Sequence, residues 1–432
     1  MRTRTQHHPS SDAAAACVGD WIADNPGRRS LEALQRTLAE TTERLATELG
    51  RPGTKAPEWS EAEWAVARAV AAIHGVSPLL ARTLRWQGPE SWNRFLEAQT
   101  VHTERRFLRI EQLLQLIGDR AREAAIPVVP LKGAALHALG IYAPGERPMA
   151  DIDLLVREEQ SARFAELLAA LGFTEADRTW KNREFARDDD REAAALGEDV
   201  DNGIKVELHC RVAEALPCPA LDVTAIVFPE SPQPGFNSYP SKSALLMHLL
   251  LHTAGALVFR GVRLLQLHDI VRLAAVMSAA DWKELSLQAG RTGDRSLWWA
   301  FPPLALANRY YGCVPERLLR QAAADCHWAL KRVYCRRTLA EASLSHLWIT
   351  AFPGIAWARS PGEMLAYAVS RAVPDRETLQ RRKALAKTEP RISGGRWSQL
   401  SQGKRMVHWI LSRQARHATL QPVRAALLAA PG

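Results

Sequence analysis

The sequence predicts an α+β protein in which a few short strands, confined to the middle of the chain, lie between two helical arms. Three observations carry this. Extended runs of strand length occur at 128–131, 151–156 and 204–212. Before residue 126 and after residue 241 the apolar residues recur at three- and four-residue steps, the period of a helix face. Clusters of Gly, Pro, Ser and Asp separate the runs, as turns require.

At 432 residues the chain exceeds one average domain. Its boundaries divide it into a flexible tail (1–30), an N-terminal helical segment (31–104), a strand-bearing core (105–235) and a C-terminal helical domain (236–432). The apolar content of 47% is that of an ordinary globular protein. The formal charge of +9 permits an anionic substrate or nucleic acid without requiring either. Six cysteines form no CxxC and no His–Cys box, so they read as free thiols in a reducing compartment. Met1–Pro26 lacks the basic start and apolar core of a signal peptide. The longest apolar run, 245–259, is too short for a membrane span. These features place the protein in the cytoplasm, away from a membrane.

Met1–Ala16 is polar, then alanine-rich, and reads as tail. Leu31–Leu49 has the pattern of a charged amphipathic helix closed by Gly50 and Pro52. Ser60 with Glu63 is a capping box for the next helix, with Trp64, Ala67, Val70 and Ile73 on its apolar stripe. From Ser91 to Ile126, Phe107, Ile110, Leu114, Ile117, Ala121 and Ala124 form one helical face. Thr174–Gly203 is strongly charged, Asp188–Asp190 included, and reads as a solvated loop. Four prolines between 217 and 234 mark a turn-rich linker. Helices follow at 241–256, 262–276 and 280–290 and continue to Ala430, with breaks near Pro302, Pro353 and Pro390–Gly395. The tryptophans at 298, 299, 328, 348, 357, 397 and 409 are expected at helix interfaces.

The chemistry concentrates in 126–156, IPVVPLKGAALHALGIYAPGERPMADIDLLV. A buried-strand run breaks at Lys132-Gly133 into a short helix, and a Gly/Pro loop leads to Asp151-Ile152-Asp153. Strand alternation puts Asp151 and Asp153 on one face and Ile152, Leu154 and Val156 on the other. Paired carboxylates need a cation between them, and hard oxygen donors suit Mg²⁺. In 204–212, Lys205, Glu207, His209 and Arg211 share one face, while Ile204, Val206, Leu208 and Cys210 share the other.

The ordered set Lys132-Gly133, Arg147, Asp151-x-Asp153 and Glu207-x-His209 resembles a bacterial branch of the polymerase-beta-like nucleotidyltransferases. There, Lys-Gly replaces the superfamily's usual Gly-Ser. The resemblance covers Leu113–Ala275 and implies a small mixed sheet with N-terminal helices and a large C-terminal helical domain. It further implies Mg²⁺-dependent transfer of a nucleoside monophosphate from an NTP such as ATP to an acceptor, a peptide or small metabolite. Asp151 and Asp153 would bind two metal ions and Glu207 would complete the set. Gly133 would let backbone N–H groups approach phosphate, and Lys132 would meet the β- or γ-phosphate. Ala134 stands where the serine hydroxyl is expected. Arg147 would neutralise the triphosphate or pin its loop, and His209 would orient Glu207 or act on the acceptor.

Two other readings stand beside this one. The site could be catalytically silent and bind only nucleotide or a partner. His248 and His252, one helical turn apart, with His268-Asp269 on the next helix, also have the ligand types of a helical metal phosphohydrolase. Packing is the expected role of those histidines.

Overall fold

The computed structural model describes residues 19–23, 27–187, 194–217, 220–290, 296–374, 400–411 and 414–429. The expected tail Met1–Ala16, the run Asp188–Asp190, the break at Pro390–Gly395 and Trp397 lie outside them.

After a helical turn at 19–22, the helices α1 (Arg28–Gly50), α2 (Glu61–Ile73), α3 (Ser77–Thr83) and α4 (Glu90–Glu123) precede the first strand. Ser60 caps α2 in the expected box, its side chain accepting from Glu63 N while Glu63 returns to the Ser60 backbone. Trp21 is fully buried and its Nε1 donates to the Ser30 carbonyl at 2.8 Å, which anchors the chain ahead of α1.

The central segment comprises β1 (Pro127–Pro130), α5 (Lys132–Ala138), β2 (Asp151–Leu155), α6 (Ser161–Ala170), β3 (Thr174–Arg178), β4 (Asn182–Ala186) and β5 (Lys205–His209). A small hairpin, β6 (Ala213–Ala215) and β7 (Ala220–Asp222), then leads through the single turn α7 (Thr224–Val227) to β8 (Gly235–Phe236). The main sheet has six strands in the order β3-β4-β5-β2-β1-β8. It is mixed: β5 runs parallel to β2 and β8 to β1, and the other neighbours are antiparallel. The architecture is therefore the expected α+β one. The charged stretch after Thr174 is not all loop, however. β3 and β4 form a hairpin that extends the sheet beyond β5. The sequence carries no alternation there because β3 is an edge strand whose residues 174–176 are all exposed, so neither face has to be apolar.

One face of the sheet is a core. Ile152, Leu154, Val206, Leu208 and Phe185 pack with Ile110 and Ile117 of α4 and Phe164 and Leu168 of α6. This is the apolar half of the alternation in β2 and β5. The opposite face carries the charged half and looks towards α5 and α8 (Lys242–Val258).

Helices α9 (Leu264–Ala274), α10 (Ala279–Ala289), α11 (Phe301–Tyr311), α12 (Glu316–Asp325), α13 (Trp328–Tyr334), α14 (Leu339–Ala342), α15 (Pro361–Ala372), α16 (Gln402–Leu411) and α17 (His417–Leu428) follow α8. All of them but α15 and α16 contribute to one large core shared with α1 and α2. Arg68 Nη2 of α2 donates to the Ala426 carbonyl of α17 at 3.0 Å, and Thr42 Oγ1 of α1 to Ser345 Oγ at 2.7 Å. The N-terminal helices thus belong spatially with the C-terminal ones. Trp298, Trp299 and Trp357 fill this core as expected. Trp328 does not: it is exposed, with the Arg332 guanidinium stacked 5.6 Å from its ring. A two-turn helix has room for one buried face, and Leu330 and Tyr334 occupy it in α13. Among the described residues no single helix is long and apolar enough to cross a membrane.

Candidate active site

The site is built on register. In the parallel pair, Asp151 faces Lys205, Asp153 faces Glu207 and Leu155 faces His209. Side chains of paired residues share a face, so Asp151, Asp153, Glu207 and His209 all project from the polar side. The sequence alone does not reveal that adjacency.

A buried guanidinium fixes the two strand starts. Arg106 of α4 is 2% exposed. It donates to the carbonyls of Met149 (3.1 Å), Ala150 (3.1 Å) and Gly203 (2.9 Å) and to that of Asn202, and it pairs with Glu198 at 3.2 Å. The Met149 and Ala150 carbonyls lie just before β2, and those of Asn202 and Gly203 just before β5. Nothing in the sequence distinguishes Arg106 from the arginines around it.

Asp153 is the hub. Its Oδ1 accepts from Lys132 Nζ at 2.6 Å and lies 2.9 Å from His209 Nε2. The same His209 nitrogen lies 3.4 Å from Glu207 Oε2. Asn182 Nδ2 of β4 donates to that oxygen at 2.8 Å. Nothing in the sequence singles out Asn182, because β4 has the composition of a solvated loop. Lys132 reaches Asp153 because its backbone is left-handed, φ 48°, a costly conformation for a residue with a Cβ.

The surroundings of each group set its proton affinity. Burial raises the Asp151 carboxyl, and the charge of Asp153 adds to this, bringing it to about 6 against the pull of Lys132. Burial would also raise Asp153, but the Lys132 ammonium and the His209 hydrogen bond outweigh it and hold Asp153 well below the usual range. For Glu207, likewise, the His209 bond overcomes burial and lowers it. Burial would lower His209, yet its bonds to Asp153 and Glu207 raise it. The two strands thus carry one weakly acidic carboxyl, Asp151, beside two that are shifted the other way.

Asp153, Glu207 and His209 each offer an atom within 4.8 Å of the others. They form the one group of three such residues with metal-binding spacing among the described residues. Asp151 is on the same face but outside that group. Two carboxylates and an imidazole on adjacent strands are a chemically sound donor set for a divalent cation.

Arg147, expected either at the triphosphate or as a pin for its loop, is paired with a carboxylate of the helical domain. Its Nε and Nη2 each donate to Asp269 of α9 at 2.8 Å, and Tyr142 OH donates to the same carboxylate at 3.0 Å. It pins the loop before β2 to the helical domain. Gly133 is small for a matching reason: a Cβ there would lie 2.3 Å from Arg147 Nη1 and 2.9 Å from Met149 Sδ. Ala134 is buried in α5.

Of the helical histidines, His248 and His252 stay together and His268 lies apart. His248 Nδ1 lies 2.7 Å from Tyr239 OH. His248 and His252, ring centroids 6.5 Å apart, both line a narrow pocket beside the carboxylates together with Lys132, Lys181, His209 and Glu214. His268 packs against the rings of Tyr142 and Tyr311. With Asp269 committed to Arg147, the phosphohydrolase ligands are not gathered into one metal-binding group.

No curated protein and no solved structure matches the chain. A family model described as an uncharacterised nucleotidyltransferase matches residues 60–311, from the cap of α2 through the sheet to the end of α11. That span exceeds half of the chain and contains every residue of the site just described, so the chain belongs to this nucleotidyltransferase family.

Proposed function

We propose that the chain moves a nucleoside monophosphate from an NTP to a hydroxyl on a peptide or small-molecule acceptor, with a divalent cation such as Mg²⁺. The observation that carries this reading is the register match of Asp153 with Glu207, which puts two carboxylates of lowered proton affinity side by side on a polar sheet face. Asp153 and Glu207 would hold the cation. When bound, it would offset charge on the phosphate oxygens and on departing pyrophosphate.

The chain's own residues supply the rest. Asn182 and His209 fix Glu207 and keep it ionised, which suits a ligand better than a base. Asp151, held near 6, is the better proton acceptor at neutral pH. It takes the proton of the acceptor hydroxyl as that oxygen bonds to the α-phosphorus. The bond from that phosphorus to the bridging oxygen breaks, and its electron pair leaves with pyrophosphate. Lys132, released from Asp153, carries its charge to the phosphates.

Calorimetry of NTP binding with and without Mg²⁺ tests the reading on the parent and on Asp153→Asn. We expect Mg²⁺-dependent affinity in the parent, lost in the variant. Lys132→Ala should weaken NTP binding by about 1.5–3 kcal/mol, the worth of a charge-assisted contact. Equal affinities in all three proteins, indifferent to Mg²⁺, would overturn the proposal. Incubation of the parent with each labelled NTP, Mg²⁺ and a cell extract, followed by mass spectrometry, identifies the acceptor.

A further inference from the structure

We propose that His209 is itself a metal ligand, and that the cation held by Asp153, Glu207 and His209 is a first-row transition metal in preference to Mg²⁺. This deepens the proposed function and rests on it, since it names the ion for the same site. The argument starts from one atom. His209 Nε2 points between the two carboxylates, 2.9 Å from Asp153 Oδ1 and 3.4 Å from Glu207 Oε2. Those are the oxygens that a cation at this face would meet first. An imidazole that served only to orient Asp153 would need one of these approaches, not both.

The strands explain why the nitrogen is there. Glu207 and His209 are two residues apart on β5 and so share its polar face, while Asp153 is the registered partner of Glu207 on β2. The imidazole is buried, 7% exposed in its side chain, and so is held in place. Lys132 Nζ occupies the same Oδ1 at 2.6 Å, so a positive charge already resides on this oxygen. A divalent ion entering the triad would displace that ammonium towards the phosphates.

Donor chemistry then selects the ion. Mg²⁺ takes oxygen ligands in a near-ideal octahedron and keeps its waters, so a protein nitrogen in its shell is poorly matched. An imidazole beside carboxylates suits the first-row transition metals instead, and affinity for such a mixed N/O site rises along the row from Mn²⁺, which is therefore the most demanding member to test. Asp151, outside the triad, stays free for proton transfer.

The test uses Mn²⁺ alone and the full chain. Mn²⁺ should bind at least about tenfold more tightly than Mg²⁺ by competition calorimetry. Pulsed electron paramagnetic resonance of the Mn²⁺ complex should show the coupling of one directly bound nitrogen. In His209→Gln that coupling should vanish, and Mn²⁺ affinity should fall by about 10–100-fold while Mg²⁺ affinity changes less than about twofold. Should the variant not fold, ¹⁵N-histidine labelling of the parent must convert the coupling from the ¹⁴N to the ¹⁵N pattern. Mn²⁺ binding without nitrogen coupling, or equal loss of both metals in His209→Gln, would overturn the ligand assignment. NTP binding supported by Mg²⁺ in the same preparation would show that the transferase reading survives such a failure.

Discussion

The Arg147–Asp269 pair gives the sharpest test of how the site is held. The two side chains are 10% and 3% exposed and joined by two bonds of 2.8 Å, with Tyr142 OH as a third donor to the carboxylate. Both charges have left water, so removing one strands the other. Breaking a buried pair from one side costs about 3–5 kcal/mol, whereas replacing both members by apolar residues of similar size is often near neutral. We therefore expect Arg147→Met and Asp269→Leu each to lose about 3–5 kcal/mol in urea unfolding, and the double variant to recover much of that loss. The same proteins report on function. If Arg147 only pins the loop, the folded double variant should bind NTP within about twofold of the parent. A stability change below about 1 kcal/mol in both single variants would refute the burial argument. Normal stability with a large loss of NTP affinity in Arg147→Met alone would return the guanidinium to the phosphates.

Gly133→Ala should cost about 1–3 kcal/mol, because the new methyl group meets the Arg147 guanidinium and Met149, neither of which is free to retreat; an unchanged thermal midpoint would contradict this. His74 makes a pH prediction. Leu264 N donates to its Nδ1 at 2.9 Å, so Nε2 carries the hydrogen facing Ser345 Oγ, also 2.9 Å away. Burial, and then Arg263, depress this imidazole to about 3. The folded value lies below the unfolded one near 6.5, so its contribution is complete above pH 6.5 and drains away as pH falls towards 3. At pH 5 the loss is about 2 kcal/mol, at 1.36 kcal/mol per unit. His268 and His346, lowered to about 4 and about 3, act in the same direction. The difference in acid sensitivity between the parent and His74→Gln isolates the one residue, and equal sensitivities would defeat the assignment.

What the sequence makes legible is whatever depends on near neighbours along the chain. The alternation in β2 and β5 announces which side chains are buried and which are not, because a strand pointed at a core has to alternate. The Ser60 box and the stripe on α4 are likewise local. Three features escape for reasons of distance or exposure. The β3–β4 hairpin buries little, so its composition is that of a loop, and Asn182 is hidden with it. Arg147 and Asp269 are 122 residues apart, and nothing in either neighbourhood names the other. Lys132 is expected at a phosphate; within the chain its carboxylate partner is Asp153, and the left-handed turn delivers it there.

The Arg106 tie bears on how this sheet could be borrowed or cut. The separation of Asp153 from Glu207 depends on where β2 and β5 begin, and a single guanidinium on α4 holds both beginnings. A fragment from β1 to β5 would keep all its acidic residues yet lack the clamp that spaces them. Recombination or truncation with a boundary after Arg106 would therefore carry away the motif without its geometry. The smallest transplantable unit has to start upstream, within α4, some twenty residues before the first strand of the sheet.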